Sequence, residues 1–325
     1  MSADASAAGG QLIPPVAGAS GGVIHNIGYR RYDGPRLGRV QIVRALTLSS
    51  LRAAFGFGRG AKAKIFPVLL FALMMLPAAV NAVAVAENPG GGAIVSYDGY
   101  VPSLRTVAML IFIAIEAPNL VSSDLRNHVL PLYFARPIKR IDYPVAKIIA
   151  FFLACLAMIE IPLLTLYAGN VAVAHGASKV WAQTTQLGPG LLYGAAWAIL
   201  LAGLGLLLAS STGKRVFAIC AIGIPLFFTW ILATVLANIG TQAYGPFLYA
   251  KPSALASLAG LISPFTLLGG VLHWLQAVPP PGGPVRPFQT TIVGSYGPVY
   301  GLVFAALTIA AIAGLIARYR KVAAA

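Results

Sequence analysis

The chain has 325 residues, of which 58% are hydrophobic and only 10% are charged. A soluble domain carries about 25% charged residues, so the composition excludes an ordinary water-soluble protein and indicates one whose surface faces lipid. The net charge of +15 would also suit a nucleic-acid-binding protein. However, the Lys and Arg residues fall in short clusters beside long apolar runs, as membrane-topology signals do, and this placement argues against nucleic acid as a partner.

The first 64 residues are too polar to cross a membrane. Residues 1–28 lack the charged start and apolar core of a signal peptide, and their Ala, Gly and Ser content predicts a disordered cytoplasmic tail. Residues 29–64 are predicted to form a cytoplasmic and interfacial elbow segment. Within it, Val40–Gly58 can place its apolar residues on one helix face with Arg44 and Arg52 beside that face, as in a helix that lies in the membrane interface. The alternative is a soluble helix packed on another domain.

Six apolar runs are long enough to span a bilayer, which takes about 20 residues of helix. The sequence therefore predicts an all-α, polytopic membrane protein whose transmembrane domain covers residues 65–321. The predicted spans are Ile65–Ala86, Thr106–Ser122, Tyr143–Tyr167, Leu191–Leu208, Val216–Ile239 and Pro298–Ile316.

Two of the segments between the spans have distinctive patterns. The connection before the fourth span, with His175, Lys179 and Trp181, is predicted to be a loop. The apolar stretch 247–275 is broken at Ser263-Pro264 into two parts that are each too short to cross. It predicts a re-entrant or surface-lying helical pair before the last span.

The distribution of basic residues predicts the orientation of the chain. If the N-terminus is cytoplasmic, nineteen of the 23 Lys and Arg residues lie on the cytoplasmic side of the six spans. Because positive charge is enriched in cytoplasmic segments, both termini are predicted to be cytoplasmic. The expected location is the cell's inner or plasma membrane.

No motif for enzymatic chemistry is present in the sequence. Lys214 follows Gly213, but Arg215 stands where a phosphate-binding loop needs Ser or Thr. The two cysteines, Cys155 and Cys220, lie inside apolar runs and have no metal-ligand spacing. The chain is therefore predicted not to be an enzyme and to hold no cofactor or metal of its own.

Two acidic residues, Glu116 and Glu160, lie inside apolar spans, where a charge costs about 2.5–3.5 kcal/mol. Each precedes a proline by two residues, at Pro118 and Pro162, where a helix can kink. They could contribute to a substrate path or form packing hydrogen bonds, and the sequence leaves both roles open. An ion-coupled carrier that uses both glutamates is a weaker hypothesis, because no third titratable group joins them.

The segment Leu120–Lys147 has the densest charge in the chain and lies between the second and third spans. Its acidic residues are interleaved with basic ones, and its aromatic content exceeds what a solvated loop needs. An amphipathic segment followed by a turn fixed by proline suits insertion into a groove on a partner protein. The candidate residues of this loop are Asp124, Arg126, Tyr133, Arg136, Pro137, Lys139, Arg140, Tyr143 and Lys147.

At these residues the chain resembles the permease subunits of ABC transporters of the type-2 exporter family. The family pattern RPI-x-R-x-x-Y-x-x-x-K begins here at Arg136 and ends at Lys147, and an acidic residue, Asp124, precedes it. The elbow helix and the broken helical pair also resemble the family layout. The resemblance implies that the loop is a coupling helix which sits in a cleft of an ATPase subunit.

The resemblance also implies the partners and the mechanism. The permease would pair with a second permease copy, identical or related, and with two ABC ATPase subunits that bind ATP and Mg. Alternating access would then move a hydrophobic or amphipathic substrate through the membrane. The alternative is a membrane scaffold, or an assembly or signalling subunit, that binds a cytoplasmic ATPase without simple export.

Overall fold

The structure is a computed structural model of the full chain, and it is helical throughout the part that it describes. The N-terminal unit, up to Arg36, is described only at Gly34, so the predicted tail 1–28 lies outside the described residues. Within the described ranges there is no strand, which confirms the all-α class. These ranges are 34, 38–58, 60–87, 104–127, 129, 133, 138–242, 253–276 and 294–322.

Nine α-helices follow one another in the described parts of the chain. Their bounds are α1 Arg39–Ala54, α2 Ala61–Glu87, α3 Leu104–Arg126, α4 Asp142–Ala172, α5 Ala177–Ser210, α6 Arg215–Gln242, α7 Ala254–Ala259, α8 Pro264–Gln276 and α9 Gly297–Val322. Six of them, α2 to α6 and α9, are long and apolar enough to cross a membrane. A helix pairs its backbone N–H and C=O groups internally, which is necessary inside a membrane because hydrocarbon offers no hydrogen-bond partners. The chain is thus a multi-pass membrane protein with six candidate spans.

The core lies where α3, α4 and α5 meet. Phe112 of α3 stacks on Phe151 of α4 with ring centroids 6.0 Å apart, and Trp197 of α5 is fully buried nearby. The outer faces of α2, α6 and α9 expose large apolar side chains instead, including Val68, Leu76, Phe228, Val235, Leu302 and Ile309. Apolar exposure on this scale is unusual for a protein in water and suits contact with lipid.

Helix α5 is longer than the sequence predicts. It begins at Ala177 instead of Leu191, so Lys179 and Trp181, which were predicted to lie in a loop, belong to its first turns. The helix has 34 residues and contains Pro189. Its length of about 51 Å exceeds a hydrocarbon core of about 30 Å. The hydropathy of the sequence marked only the apolar part of this helix, because its first turns are polar.

The loop between the second and third spans is shorter than predicted. Helix α3 continues to Arg126 through Pro118, and α4 already begins at Asp142. The connection therefore comprises residues 127–141 instead of the whole of 120–147. Proline interrupts membrane helices less often than soluble ones, because neighbouring helices and side chains satisfy the freed carbonyl.

Helices α7 and α8 form the short pair that the break at Ser263-Pro264 predicts. Pro264 is the first residue of α8, a position at which a backbone N–H would have no partner within the helix, so proline loses no hydrogen bond there. The Ser253 hydroxyl at the start of α7 donates to the Gly240 carbonyl of α6 at 3.0 Å. The Tyr300 hydroxyl of α9 donates to the Ser257 carbonyl of α7 at 2.8 Å. The pair is thus attached to α6 and α9, while its re-entrant placement in a membrane stays a prediction.

Helices α2 and α4 cross at a contact between small residues. A Cβ atom placed on Gly169 would lie 2.7 Å from Ala82 Cβ and 3.0 Å from Ala82 Cα, so the two backbones approach closely there. Next to this crossing, Asn81 Nδ2 donates to Asn170 Oδ1 at 3.0 Å in a buried hydrogen bond. Small residues allow such close approach in membrane helix pairs, and polar side chains hold them together.

Candidate functional site

The ends of several helices meet at one end of the bundle, which we call the basic end. The start of α4 contacts the start of α1 and the ends of α3 and α9 there, and Arg318 Nη2 donates to the Ser211 carbonyl at 3.1 Å. A Cβ on Gly213 would lie 4.0 Å from Arg126 Cα, which brings the α5–α6 turn next to the end of α3. The exposed cations of the basic end are Arg126, Lys139, Arg140, Lys214, Arg215, Arg318, Arg320 and Lys321.

A polar cluster in which Tyr143 and Lys147 are buried and the Asp124 side chain is 18% exposed joins α3 to α4 at this end. The Tyr143 hydroxyl donates to Asp124 Oδ2 at 2.6 Å, and Lys147 Nζ lies 2.9 Å from the same oxygen. The Lys147 side chain is only 8% exposed. Taking a charge out of water is costly unless an opposite charge and hydrogen bonds compensate for it, and Asp124 supplies both here. The last turn of α3 and the first turns of α4 are therefore held together.

Aromatic contacts extend this cluster to the loop and to α9. The Tyr143 ring lies 5.4 Å from the ring of Tyr133 and 5.1 Å from that of Tyr319, measured between centroids. Lys147 Nζ is 5.4 Å from the centre of the Tyr143 ring, within range of a cation–π interaction. A loop residue, the start of α4 and the end of α9 are thus packed as one unit with Asp124.

An ion pair attaches α1 to the start of α4. Arg39 Nε lies 2.7 Å from Asp142 Oδ2, and Arg39 Nη2 lies 2.5 Å from Asp142 Oδ1. The backbone N–H of Lys139 also donates to Asp142 Oδ2 at 2.8 Å. The hydrogen bond to Asp142 raises the pKa of the Arg39 guanidinium above its usual value. A bidentate ion pair of this kind fixes the relative orientation of the two side chains as well as the distance between them.

The two partners of the Arg39–Asp142 pair are expected to contribute unequally to stability. Asp142→Ala removes the acceptor of both Arg39 and the Lys139 N–H, whereas Arg39→Ala removes one side chain that is 47% exposed. Thermal unfolding in detergent should therefore show a larger fall of Tm for Asp142→Ala. The effect of Arg39→Ala should shrink in 1 M salt, because solvent ions screen exposed charges. Equal falls of Tm that do not change with salt would contradict this prediction.

The structure brings four of the predicted loop residues together: Asp124, Tyr133, Tyr143 and Lys147. Three more, Arg126, Lys139 and Arg140, are exposed at the same end. Arg136 and Pro137 lie outside the described residues. Sequence reasoning missed Arg39 and Tyr319 as members of this site, and it counted Asp142 only among the acidic residues interleaved with the basic ones. Only Asp142 carried a local signal, since an acidic residue is favoured in the first turn of a helix.

The two intramembrane glutamates lie apart from this cluster. Glu116 is buried on α3, and its Oε2 accepts a hydrogen bond from Asn119 Nδ2 at 2.9 Å. Glu160 is buried on α4 and packs against Gly194 of α5, where a Cβ atom would collide with its carboxylate. Within the described ranges, no three His, Cys, Asp or Glu side chains come close enough to hold a metal ion.

An apolar groove of about 560 Å³ lies between α3 and α6. Its lining contains no charged or hydrogen-bonding polar side chain among the residues that the structure describes. Cys220 of α6 is exposed in this groove, whereas Cys155 of α4 is buried. The residues that shape the groove include Leu110, Ile111, Ile115, Ile224, Phe227 and Ile231.

Comparison with known proteins adds no relative. No protein-family model matches the chain, and a search of curated proteins finds no similar sequence. The function must therefore be argued from the six candidate spans, the polar cluster at the basic end and the apolar groove.

Proposed function

We propose that the chain is the membrane-spanning permease subunit of an ATP-driven exporter. It would work with two separate ATPase subunits and a second permease copy, and the basic end would face the cytoplasm with both termini. The observation that carries this proposal is the Asp124–Tyr143–Lys147 cluster on both sides of the loop 127–141. The gathering of basic helix ends supports the orientation, because cytoplasmic segments are enriched in Lys and Arg.

The cluster gives the loop a mechanical connection to the membrane helices. Asp124 is on α3, Tyr143 and Lys147 are on α4, and Tyr319 extends the contact to α9. A partner that displaces the loop would therefore move the ends of these helices together. Helix α1 would follow through the ion pair between Arg39 and Asp142. Packed helices respond to such a force by discrete shifts, as alternating access requires.

The groove between α3 and α6 supports a hydrophobic or amphipathic substrate. A polar solute would lose its hydration there without gaining hydrogen bonds, because the lining is apolar. A shift of α3 against α6 would change the width of the groove without breaking a hydrogen bond between its lining side chains.

In this proposal, α1 lies in the membrane interface and the α7–α8 pair re-enters the membrane.

The partner can be tested directly. We expect the tagged chain, extracted from its native host in mild detergent, to bring with it an ATPase with a phosphate-binding loop, in about equal amount as judged by mass spectrometry. An intact, folded chain that brings no ATPase would contradict the proposal. An ATPase that copurifies without any change in cellular accumulation when the gene is deleted would favour the scaffold.

Charge reversal in the loop tests coupling. Arg140 is exposed next to the cluster, so Arg140→Glu should disturb docking of the loop on the ATPase subunit while the fold is preserved. We expect transport to fall about tenfold or more, as when charges at an interface are mismatched. ATP hydrolysis by the partner should continue.

The matched control for Arg140→Glu is Lys179→Glu. Lys179 is also exposed, but it lies in the first turn of α5, away from the basic end. This variant should transport normally. Undiminished transport by both Arg140→Glu and Arg136→Glu, with normal amounts of protein in the membrane, would exclude the coupling role.

A further inference from the structure

Among the described residues, four cations lie on the exposed surface of α1 and of the first turn of α2, and we call this surface the α1–α2 corner. Its members are Arg44, Arg52, Lys62 and Lys64, all exposed. The only ion pairs between described residues are Arg39–Asp142 and Lys147–Asp124, so none of the four cations has a carboxylate partner there. The corner therefore carries four positive charges that the described part of the chain does not neutralise.

The turn between the two helices brings Arg52 and Lys64 next to Phe57. Gly56 adopts a φ of +72°, and its Cα lies so close to the Ala63 carbonyl that a Cβ would collide with it. The Phe57 N–H donates to the Arg52 carbonyl at 2.8 Å. Lys64 Nζ lies 5.8 Å from the centre of the Phe57 ring. The end of α1 is thus folded against the first turn of α2.

The apolar part of the corner continues along α2. Leu48 lies between Arg44 and Arg52 on the exposed face of α1, and the Phe57 side chain is 55% exposed. On α2, an exposed apolar stripe begins one residue after Lys64, with Ile65, Val68 and Leu69. Because α2 is a candidate membrane span, the cations lie where the polar part of the chain meets a surface suited to hydrocarbon.

We propose that the α1–α2 corner is a binding site for anionic phospholipids. The four cations would attract the phosphates of anionic headgroups along this surface, and Phe57, Ile65 and Val68 would contact the acyl chains. A dissolved anion or an acidic protein would use the charges but leave the exposed apolar stripe unmatched. The proposal requires only that α2 spans the membrane, so it does not depend on coupling to an ATPase.

Lipid binding to the purified full chain tests this site. The chain in detergent is titrated with dioleoylphosphatidylglycerol or dioleoylphosphatidylcholine, and bound lipid is counted by native mass spectrometry while Tm is recorded. A lipid that binds only the folded state raises Tm with concentration. We expect the wild-type chain to prefer the anionic lipid. The variant R44Q/R52Q/K62Q/K64Q should lose about tenfold in affinity for it, since each cation near an anionic surface contributes to binding.

The matched control removes the same amount of charge from the basic end of the bundle. In K139Q/R140Q/K214Q/R215Q, four exposed cations of the basic end are neutralised, and the preference for the anionic lipid should persist. An equal loss in both variants would overturn the proposal, since it would show attraction to the overall charge. So would equal binding of the two lipids by the wild-type chain. Full competition by water-soluble glycerol phosphate would show a free-anion site instead.

Two smaller variants keep the test decisive if the fourfold variant does not fold. R44Q/R52Q and K62Q/K64Q each change only exposed side chains, so their Tm in lipid-free detergent should match that of the wild type. Each should lose part of the preference for the anionic lipid. Unchanged preference in both would overturn the proposal.

Discussion

Asp124→Ala is expected to destabilise the protein by about 3–5 kcal/mol, because Lys147 would stay buried without its carboxylate partner. The Lys147 side chain is 8% exposed and lies 2.9 Å from Asp124, and Tyr143 would lose its acceptor as well. The measurement is the free energy of unfolding, or the fall of Tm, in a fixed detergent. Arg126→Ala is the control, since Arg126 is exposed two residues further along α3.

A double variant distinguishes the cost of leaving the Lys147 charge buried without a partner from the cost of lost packing. Replacing both partners, as in Asp124→Leu with Lys147→Met, removes the buried charges and keeps apolar volume. Such replacement of a buried pair is often neutral or stabilising, so the double variant should recover much of the stability that Asp124→Ala loses. A loss below about 1 kcal/mol for Asp124→Ala would place the pair among exposed ion pairs and contradict the cluster.

Gly169→Ala is expected to cost about 1–3 kcal/mol through overpacking at the crossing of α2 and α4. The new methyl group would lie 2.7 Å from Ala82 Cβ and 3.0 Å from Ala82 Cα. A backbone atom cannot move aside as a long side chain does, so the two helices must separate. That separation would also stretch the Asn81–Asn170 hydrogen bond, which is worth about 0.6 kcal/mol in membrane helices.

Gly223→Ala provides the matched control for the crossing. Gly223 is also a glycine inside a candidate span, but a Cβ there would meet only Ala114 Cβ, at 3.9 Å. Because alanine favours helix over glycine by about 1 kcal/mol, this variant should be neutral or more stable. Thermal unfolding of the two variants side by side decides the matter. If Gly169→Ala is as stable as Gly223→Ala, the close crossing is wrong.

The six candidate spans could be predicted because a membrane imposes a strong and local rule. A helix that crosses hydrocarbon needs about 20 apolar residues in succession, and that signal is contained within each segment. The break at Ser263-Pro264 is equally local, and α7 and α8 lie on either side of it. The first turns of α5 were not predicted as helix because hydropathy measures the transfer of side chains from water to lipid. By that measure a polar helix and a polar loop are the same.

The candidate site was predictable only in part because its contacts join distant segments. Charge density pointed to Asp124 and Lys147, but nothing in the sequence indicates that their side chains pair across the loop. Arg39 is 103 residues from Asp142, and nothing in the sequence distinguishes it from Arg30, Arg31, Arg36 and Arg44 in the same basic segment. Tyr319 lies near the end of the last helix and reaches Tyr143 only through the packing of α9 on α4.

The two cysteines have a practical consequence for studying the protein in motion. Cys155 is buried in α4, while Cys220 is exposed on the groove side of α6, and the chain has no other thiol. A methanethiosulfonate spin label added to the folded chain in detergent would therefore attach at one position without any mutation. In an assembly with two identical copies, the distance between the two labels would report directly on how far apart the two α6 helices lie.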